Sequence, residues 1–246
     1  MQDEIETENA VLRSLALKAV GLTGADVERL VREARQTARR QKRALAYEDI
    51  KARLDAGKPK RSDASRWRRA VHEAGHAVAR HHLGLGTVEL VTINGASGQS
   101  YVDGNIDVDS EDMEDALTAR IVSMLAGRAA EEIVLGKPGL GCGGSDQSDL
   151  ARATGIALAL ETIFGTSTQH PLVHVNTLYP MDPTIAVNLG EAVNKRLGEA
   201  YVRSLAITKR FEPEISEIAK DLVVFETLDK GAVRKRLEPI KQTVWL

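Results

Sequence analysis

The segment His72-Glu73-Ala74-Gly75-His76 lies inside a stretch of helical periodicity that runs from about Ser65 to Leu83. On an α-helix, residues four positions apart project from the same side, so both imidazoles point in one direction. Two neutral imidazoles at this spacing can bind one Zn²⁺. Glu73 lies beside that face, where a carboxylate can accept the proton of a water that attacks a metal-polarised carbonyl. The pattern also arises by chance on exposed helices, but here it predicts a zinc-dependent hydrolase with Glu73 as general base.

A catalytic zinc site needs a third protein ligand, and the residues leave several candidates open. His82 follows the second motif histidine by six residues. No glycine breaks the helix between them, so we expect His82 to point away from the metal as a partly exposed helix-end residue. Glu131 and Glu132 lie on a predicted helix, where either can bind the metal, orient a ligating histidine or form a salt bridge. Asp146 and Asp149 stand at the start of the next predicted helix, and of these two we favour Asp149.

The composition is that of a globular protein built mainly from helices. Of the 246 residues, 43% are hydrophobic and only 4% are aromatic, so aliphatic side chains must fill the core. This apolar content excludes wholesale disorder. Cys142 is the single cysteine, which excludes an intrachain disulfide. No apolar run reaches the 18 residues that a membrane span requires.

Charge is unevenly distributed along the chain. Residues 1–70 contain 17 Lys and Arg against 11 Asp and Glu, although the net charge of the whole chain is −2. A basic segment can bind nucleic acid. The charges of Arg29–Arg43, however, are spread along one amphipathic helix, which is more typical of a solvated face or a subunit contact. We therefore expect no nucleic-acid partner.

Hydrophobic periodicity predicts a mainly α-helical chain with a small β-sheet. Thr23 and Asp26 stand at the spacing of a capping box at the start of the first predicted helix. A charged segment with Gly and Pro at residues 56–63 predicts a linker. The predicted helices cover residues 23–41, 47–54, 65–83, 110–135, 148–164, 184–211, 213–225 and 229–239. The predicted strands are 88–93 and 99–106, and the predicted loops are the glycine-rich 136–144 and the long 165–183.

Three motifs resemble those of one protease family. His72–Ala77 (HEAGHA) looks like the zinc motif of the FtsH-type AAA proteases, the M41 metallopeptidases. Leu125–Ile133 (LAGRAAEEI) is similar to the second hallmark of that family, and Asp149–Thr154 (DLARAT) is similar to the third. The resemblance spans about Ser65 to Pro239 and implies a mostly helical, zincin-type metallopeptidase domain that holds one zinc ion.

The positions of this chain that match the family motifs also suggest roles for single residues. By resemblance the zinc ligands are His72, His76 and Asp149, and the general base is Glu73. The resemblance further implies an endopeptidase that degrades unfolded polypeptides fed to it by a ring ATPase, and a homohexamer as its assembly. We expect extended substrate to pair with an edge strand within Val88–Ile106, so that main-chain hydrogen bonds set its register.

The front of the chain resembles a second module. Gly21–Val27 (GLTGADV) and Val31–Ala34 (VREA) look like the helical lid of AAA ATPases, which the family places directly before the protease domain. The predicted division is a lid at residues 1–55, a linker at 56–63 and a peptidase domain at 64–246. No Gly-x-x-x-x-Gly-Lys-Ser/Thr loop occurs, so ATP would bind only to an ATPase part outside this chain. We interpret the chain as a fragment of a protein that works on the cytoplasmic side, with any membrane anchor in the missing N-terminal part.

The chain departs from the family pattern before the third motif, where Gly143–Asp149 reads GGSDQSD. This departure keeps Asp146 as an alternative ligand. A different function class is also open, namely a non-catalytic, ring-forming scaffold or adaptor that retains a metal site. A fourth metal position closed by Cys142 or a histidine would favour the scaffold. Glu73 favours the enzyme, because a structural site needs no base beside its ligands.

Overall fold

A computed structural model describes residues 11–56, 61–93, 113–167, 171–172, 174 and 183–242. This part of the chain is mainly α-helical with one small sheet, as the periodicity predicted. Residues 11–18 are helical. None of the described helices is both long enough and apolar enough to cross a bilayer. The further helices are α1 (Gly24–Arg40), α2 (Tyr47–Ala56), α3 (Asp63–His82), α4 (Met113–Leu135), α5 (Asp149–Thr162), α6 (Pro183–Arg210), α7 (Glu212–Phe225) and α8 (Lys230–Leu237). The strands are β1 (Leu90–Thr92) and β2 (Thr227–Asp229).

Side-chain caps explain where two of the helices begin. The capping box at α1 is confirmed, because Thr23 accepts from the backbone N–H of Asp26 while the Asp26 side chain accepts from the backbone N–H of Thr23. At α3 the Ser62 hydroxyl accepts from the backbone N–H of Ser65. That cap starts the helix at Asp63, two residues before the predicted start.

Helix α3 lies at the centre of the described helices and is buried without interruption from Ala70 to Arg80. Its closest neighbour is α4. A Cβ atom on Gly75 would lie 2.6 Å from the Cβ of Ala130 and 2.7 Å from the carbonyl oxygen of Ala126. The two helix backbones therefore approach more closely than any side chain at position 75 allows. This approach brings one face of α4 against the histidines of α3.

Two hydrophobic clusters fix the helices that carry the site. One joins α3, β1 and α7 and includes Val78, Val91 and Ile218. The other joins α4, α5 and α6 and includes Val122 and Leu160. Burying one such aliphatic side chain contributes about 1.5–3 kcal/mol, so the two clusters hold α3, α4 and α5 in fixed relative positions.

The sheet differs from the predicted arrangement. Strand β1 pairs antiparallel with β2, with Val91 opposite Leu228. The hydroxyl oxygens of Thr92 and Thr227, which face each other at one end of this pair, are buried and lie 2.8 Å apart. The sequence did not predict β2, because three residues are too short to show a periodicity. The predicted strand at 99–106 lies outside the described residues.

Ion pairs connect the front of the chain to its C-terminal part. Lys18 Nζ lies 3.5 Å from Asp55 Oδ1 and 3.3 Å from Glu226 Oε2, and Arg13 Nε donates to Asp229 Oδ2 at 2.8 Å. Partly exposed pairs of this kind contribute about 0–1 kcal/mol each. They orient the front helices without holding them strongly, and the division into a lid and a peptidase domain stays a prediction.

Candidate metal centre

His72 and His76 project from the buried part of α3 toward one point. Each residue is 8% exposed, and their Nε2 atoms lie 3.1 Å apart. The ring planes are inclined at 80°, with centroids 4.7 Å apart. The i to i+4 spacing thus brings two imidazole nitrogens together, as the sequence predicted.

Asp149 supplies a third potential ligand from a different helix. It is the first residue of α5, which Ser148 caps by accepting a hydrogen bond from the backbone N–H of Ala151. Asp149 Oδ2 lies 3.1 Å from the Nε2 of His72 and 3.2 Å from the Nε2 of His76. The cap fixes the direction in which α5 begins and so fixes where this carboxylate points.

A hydrogen bond at Nδ1, the ring nitrogen that faces away from the cluster, orients each imidazole. His76 Nδ1 lies 2.8 Å from the carbonyl oxygen of Ser123, which can only accept, so this Nδ1 carries the proton. His72 Nδ1 lies 2.8 Å from Glu131 Oε1, a carboxylate oxygen that also accepts. In the neutral imidazoles, both Nε2 lone pairs therefore face the cluster.

The spacing of the three atoms fits a tetrahedral metal ion. Ligands held 2.0–2.1 Å from such an ion lie about 3.3 Å from one another. The observed separations of 3.1, 3.1 and 3.2 Å are close to that value. Two nitrogen lone pairs and a carboxylate at these distances repel one another unless a cation lies between them. Among the described residues, His72, His76 and Asp149 form the group of side chains that could hold a metal.

The electrostatics of the cluster also favour a cation. Burial lowers the pKa of His72, but the hydrogen bonds with Asp149 and Glu131 outweigh it and raise that pKa to about 10. Burial raises the pKa of Asp149, whereas the charge of His76 and the hydrogen bond with His72 lower it well below its usual range. The carboxylates thus stabilise positive charge at this point, and a divalent ion supplies it without placing two protonated imidazoles face to face.

Glu73 differs from the carboxylates that orient the histidines. It is only 3% exposed, and its Oε2 has no hydrogen-bond partner within the described ranges of the chain. Burial raises the pKa of Glu73 to about 7, and the neighbouring His76 and His72 only partly oppose this shift. An unpartnered buried carboxylate costs free energy, so it is more typical of a reactive group than of a structural one.

A cavity of about 330 Å³ opens beside the cluster. Its walls include Glu73 and Asp149, two arginines of α3, and Gly141 and Ser145 from the segment between α4 and α5. A peptide segment can therefore approach the potential metal ligands and the unpartnered carboxylate from the same side.

The other ligand candidates lie elsewhere. Asp146 is exposed and is not part of the cluster. Glu132 accepts a hydrogen bond of 2.6 Å from the Tyr201 hydroxyl, and Glu131 lies behind His72, where it orients the ring. Cys142 is buried and contacts Arg128 at 3.5 Å.

His82 points away from the cluster, but its expected exposure was wrong. It is only 8% exposed, its Nδ1 lies 2.8 Å from the carbonyl oxygen of Lys241, and its ring packs edge-on against Phe211. The C-terminal segment covers the end of α3, and no helical pattern in the sequence shows that contact.

Several residues of the site were not predicted. The Ser123 carbonyl is a main-chain group, which no side-chain pattern identifies. Gly127 lies inside the second motif, Leu125–Ile133, so the motif itself was the available signal. Glu131 lies in the same motif, and orienting a ligating histidine was one of the roles that the sequence left open for it. Arg68 contacts Glu131 across 63 positions of the sequence, and no local pattern indicates that contact.

Comparison with known proteins agrees with this geometry. Residues 60–235 match the family model described as peptidase family M41. The chain is 31% identical over 258 residues to the ATP-dependent zinc metalloprotease FtsH of Syntrophus aciditrophicus, covering 92% of this chain and 33% of that protein. It is 29% identical over 257 residues to the protein of the same name from Bacillus subtilis, covering 94% of this chain and 40% of that protein.

The proteins of this name differ from the chain in length. The FtsH of Malacoplasma penetrans is 29% identical over 251 residues, which make up 92% of this chain and 30% of that protein. The chain thus spans 30 to 40% of the length of these three relatives. The family match covers more than two thirds of the chain and includes the three residues of the cluster and Glu73. The chain belongs to peptidase family M41.

Proposed function

We propose that this chain contains a zinc-dependent endopeptidase site, with His72, His76 and Asp149 as the zinc ligands and Glu73 as the general base. The observation that carries the proposal is the convergence of three ligand atoms within 3.1–3.2 Å, beside a buried carboxylate whose Oε2 lacks a partner among the described residues. Membership of a peptidase family supports the same class of reaction. The name of these relatives, zinc metalloprotease, supports the choice of metal.

The residues of the site have separate tasks in this reaction. Zinc, when bound, supplies a Lewis acid that polarises a carbonyl and lowers the pKa of water. Glu73 accepts the proton of the water that attacks the peptide carbonyl, and it delivers that proton to the amide nitrogen as the C–N bond breaks. Glu131 and the Ser123 carbonyl keep the protons of His72 and His76 on Nδ1, so both Nε2 atoms remain available as ligands.

The proposed substrate is unfolded polypeptide. An extended chain can place its backbone along a strand and form main-chain hydrogen bonds without a sequence requirement. The segment for this pairing is Val88–Ile106, of which β1 is the described strand. The adjoining cavity is polar and is lined partly by glycine and serine, which is compatible with many side chains.

We further propose that the site works as part of an ATP-dependent, FtsH-like assembly. Residues 1–55 would form the lid of an ATPase module, 56–63 a linker and 64–246 the peptidase domain, and ATP would bind in an ATPase part outside this chain. The support is the name of the relatives, ATP-dependent zinc metalloprotease FtsH, of whose length this chain spans 30 to 40%. By the same likeness the assembly is a homohexamer on the cytoplasmic side, with any membrane anchor outside these residues.

Substitution Glu73→Gln tests the catalytic proposal. The amide cannot accept the proton, so cleavage of an unstructured peptide by the purified chain should fall by about 10²- to 10⁴-fold while the zinc content stays unchanged. Glu217→Gln is the control, because Glu217 is exposed and pairs with Lys220 within its own helix. A Glu73→Gln variant that cleaves at the wild-type rate would show that Glu73 is not the base. A wild-type chain that binds zinc but cleaves nothing would favour the scaffold.

A further inference from the structure

We propose that Arg68 is a positioning residue that ties the loop 136–148 to Glu131 and, through Glu131, controls the orientation of His72. Arg68 lies one helical turn before His72 on α3, so both side chains face the same carboxylate of α4. The effect on catalysis rests on the proposed function. The contacts and the metal affinity can be tested without it.

The two oxygens of Glu131 are divided between the metal cluster and the loop. Oε1 accepts from the Nδ1 of His72 at 2.8 Å. Oε2 accepts from Arg68 Nη1 at 2.6 Å and from the backbone N–H of Gly139 at 2.7 Å. Glu131 is only 2% exposed, so these groups replace water as its hydrogen-bond partners. A shift of either neighbour at Oε2 must therefore move or rotate the carboxylate that orients His72.

Arg68 also holds the loop directly. The same Nη1 donates to the carbonyl oxygen of Lys137 at 3.0 Å. The loop main chain lies so close that a Cβ atom on Gly139 would be 2.9 Å from Glu131 Oε2 and 3.1 Å from the Cδ of Arg68. The loop is thus in direct contact with both the arginine and the carboxylate.

The positive charge of Arg68 also compensates the negative charge of Glu131. A buried carboxylate needs a compensating positive charge or strong donors. Arg68 Nη1 lies 2.6 Å from Oε2, so it supplies that positive charge at the oxygen of Glu131 that does not contact His72.

The loop links this contact to the third ligand. After Gly139 it forms a wall of the cavity with Gly141 and Ser145, and it ends at the Ser148 cap that directs Asp149. One arginine therefore fixes the orientation of a histidine and the start of the segment that leads to the aspartate. A change at Arg68 should affect metal affinity and cavity shape together.

The test compares Arg68→Gln with Arg66→Gln in the full chain. Arg66 lies on the same helix, its side chain is 31% exposed against 34% for Arg68, and it donates to the carbonyl oxygen of Val223 at 2.6 Å, remote from Glu131. Zinc affinity is measured by competition with a chromophoric chelator, and hydrogen exchange of the Gly139 amide is measured by NMR.

For Arg68→Gln we expect zinc affinity to fall about tenfold, as for other residues that orient ligands. The Gly139 amide should exchange at least tenfold faster, and kcat should fall more than KM changes. Arg66→Gln should leave all three quantities unchanged. Unchanged zinc affinity and unchanged Gly139 exchange in Arg68→Gln would overturn the proposal, whether or not the wild-type chain cleaves peptides.

The variants Glu131→Gln and Arg68→Lys make the test independent of folding defects. Because Arg68 acts on His72 through Glu131, the double variant with Arg68→Gln and Glu131→Gln should lose less zinc affinity than the sum of the two single losses. A fully additive loss would overturn the inference. Arg68→Lys keeps the charge but lacks the forked donors, so it should restore part of the zinc affinity. If Arg68→Gln does not fold, Arg68→Lys is compared with Arg66→Lys by zinc affinity and by hydrogen exchange of the Gly139 amide. Equal values in these two variants would overturn the proposal.

Discussion

Gly127 lies so close to His76 that a Cβ atom at position 127 would be 2.6 Å from the Nε2 of His76. The same atom would be 2.7 Å from the Nε2 of His72. Gly127 lies within α4, so its backbone conformation does not require glycine. Space is the reason for a glycine here, because the main chain of α4 closes one side of the point where the ligand atoms converge.

Gly127→Ala should therefore impair metal binding rather than helix formation. The added methyl group would push the two imidazoles out of their positions. Substitution of residues that orient metal ligands typically lowers metal affinity by about 10- to 100-fold, and we expect a loss of zinc affinity at least that large. Titration of the metal-free variant with zinc measures this loss. The control is Gly155→Ala in α5, where a Cβ would meet no atom within 4 Å, so zinc affinity should not change. Equal affinities in the two variants would contradict the steric role of Gly127.

Asp149→Asn and Asp146→Asn form a matched pair for the third ligand. Asp149 Oδ2 lies within 3.2 Å of both imidazole nitrogens, whereas Asp146 is exposed and outside the cluster. We expect Asp149→Asn to lose zinc on gel filtration and to lose cleavage, because a neutral amide is a poor ligand for this ion. Asp146→Asn should retain both its zinc and its cleavage activity. A reversed pattern would move the ligand assignment to Asp146.

Gly75→Ala should destabilise the fold by about 1–3 kcal/mol, because the new methyl group would overlap Ala130 and the carbonyl of Ala126. Thermal or urea unfolding of the zinc-loaded chain measures the change. Gly198→Ala in α6 is the control, since a Cβ there would meet nothing within 4 Å. In an open helical position the same substitution is neutral or stabilises by about 0.5–1 kcal/mol. Equal stability of the two variants would mean that α3 and α4 are not in close contact.

Removing the metal should lower both activity and stability. Zinc binds to three ligand atoms that only the folded chain brings together, so chelation should lower the melting temperature and abolish peptide cleavage. A free zinc concentration of 100 times the dissociation constant should then raise the free energy of unfolding by about 2.7 kcal/mol, provided that only the folded chain binds zinc. The variant His76→Ala is the control, because its melting temperature should no longer respond to zinc. A wild-type melting temperature that is independent of zinc would argue against this metal centre.

Much of the site was visible in the sequence because its parts are local. His72, Glu73 and His76 lie within five positions of one helix, and helical geometry alone places the two imidazoles on one side. The mainly helical class followed from periodicity for the same reason. Asp149 was one of several open candidates from the residues alone, since it is 77 positions from His72, and the resemblance to a known motif singled it out.

The sequence by itself determined which groups can bind a cation and which helix presents two of them. Tertiary structure alone decided the surroundings: that β1 pairs with β2, that His82 is buried under the C-terminal segment, and that Gly127 leaves room for the ligands. The same holds for the sharing of Glu131 between His72 and Arg68. The reason is that these contacts join residues far apart in the chain, and they form only when two clusters of aliphatic side chains bring α3, α4 and α5 together.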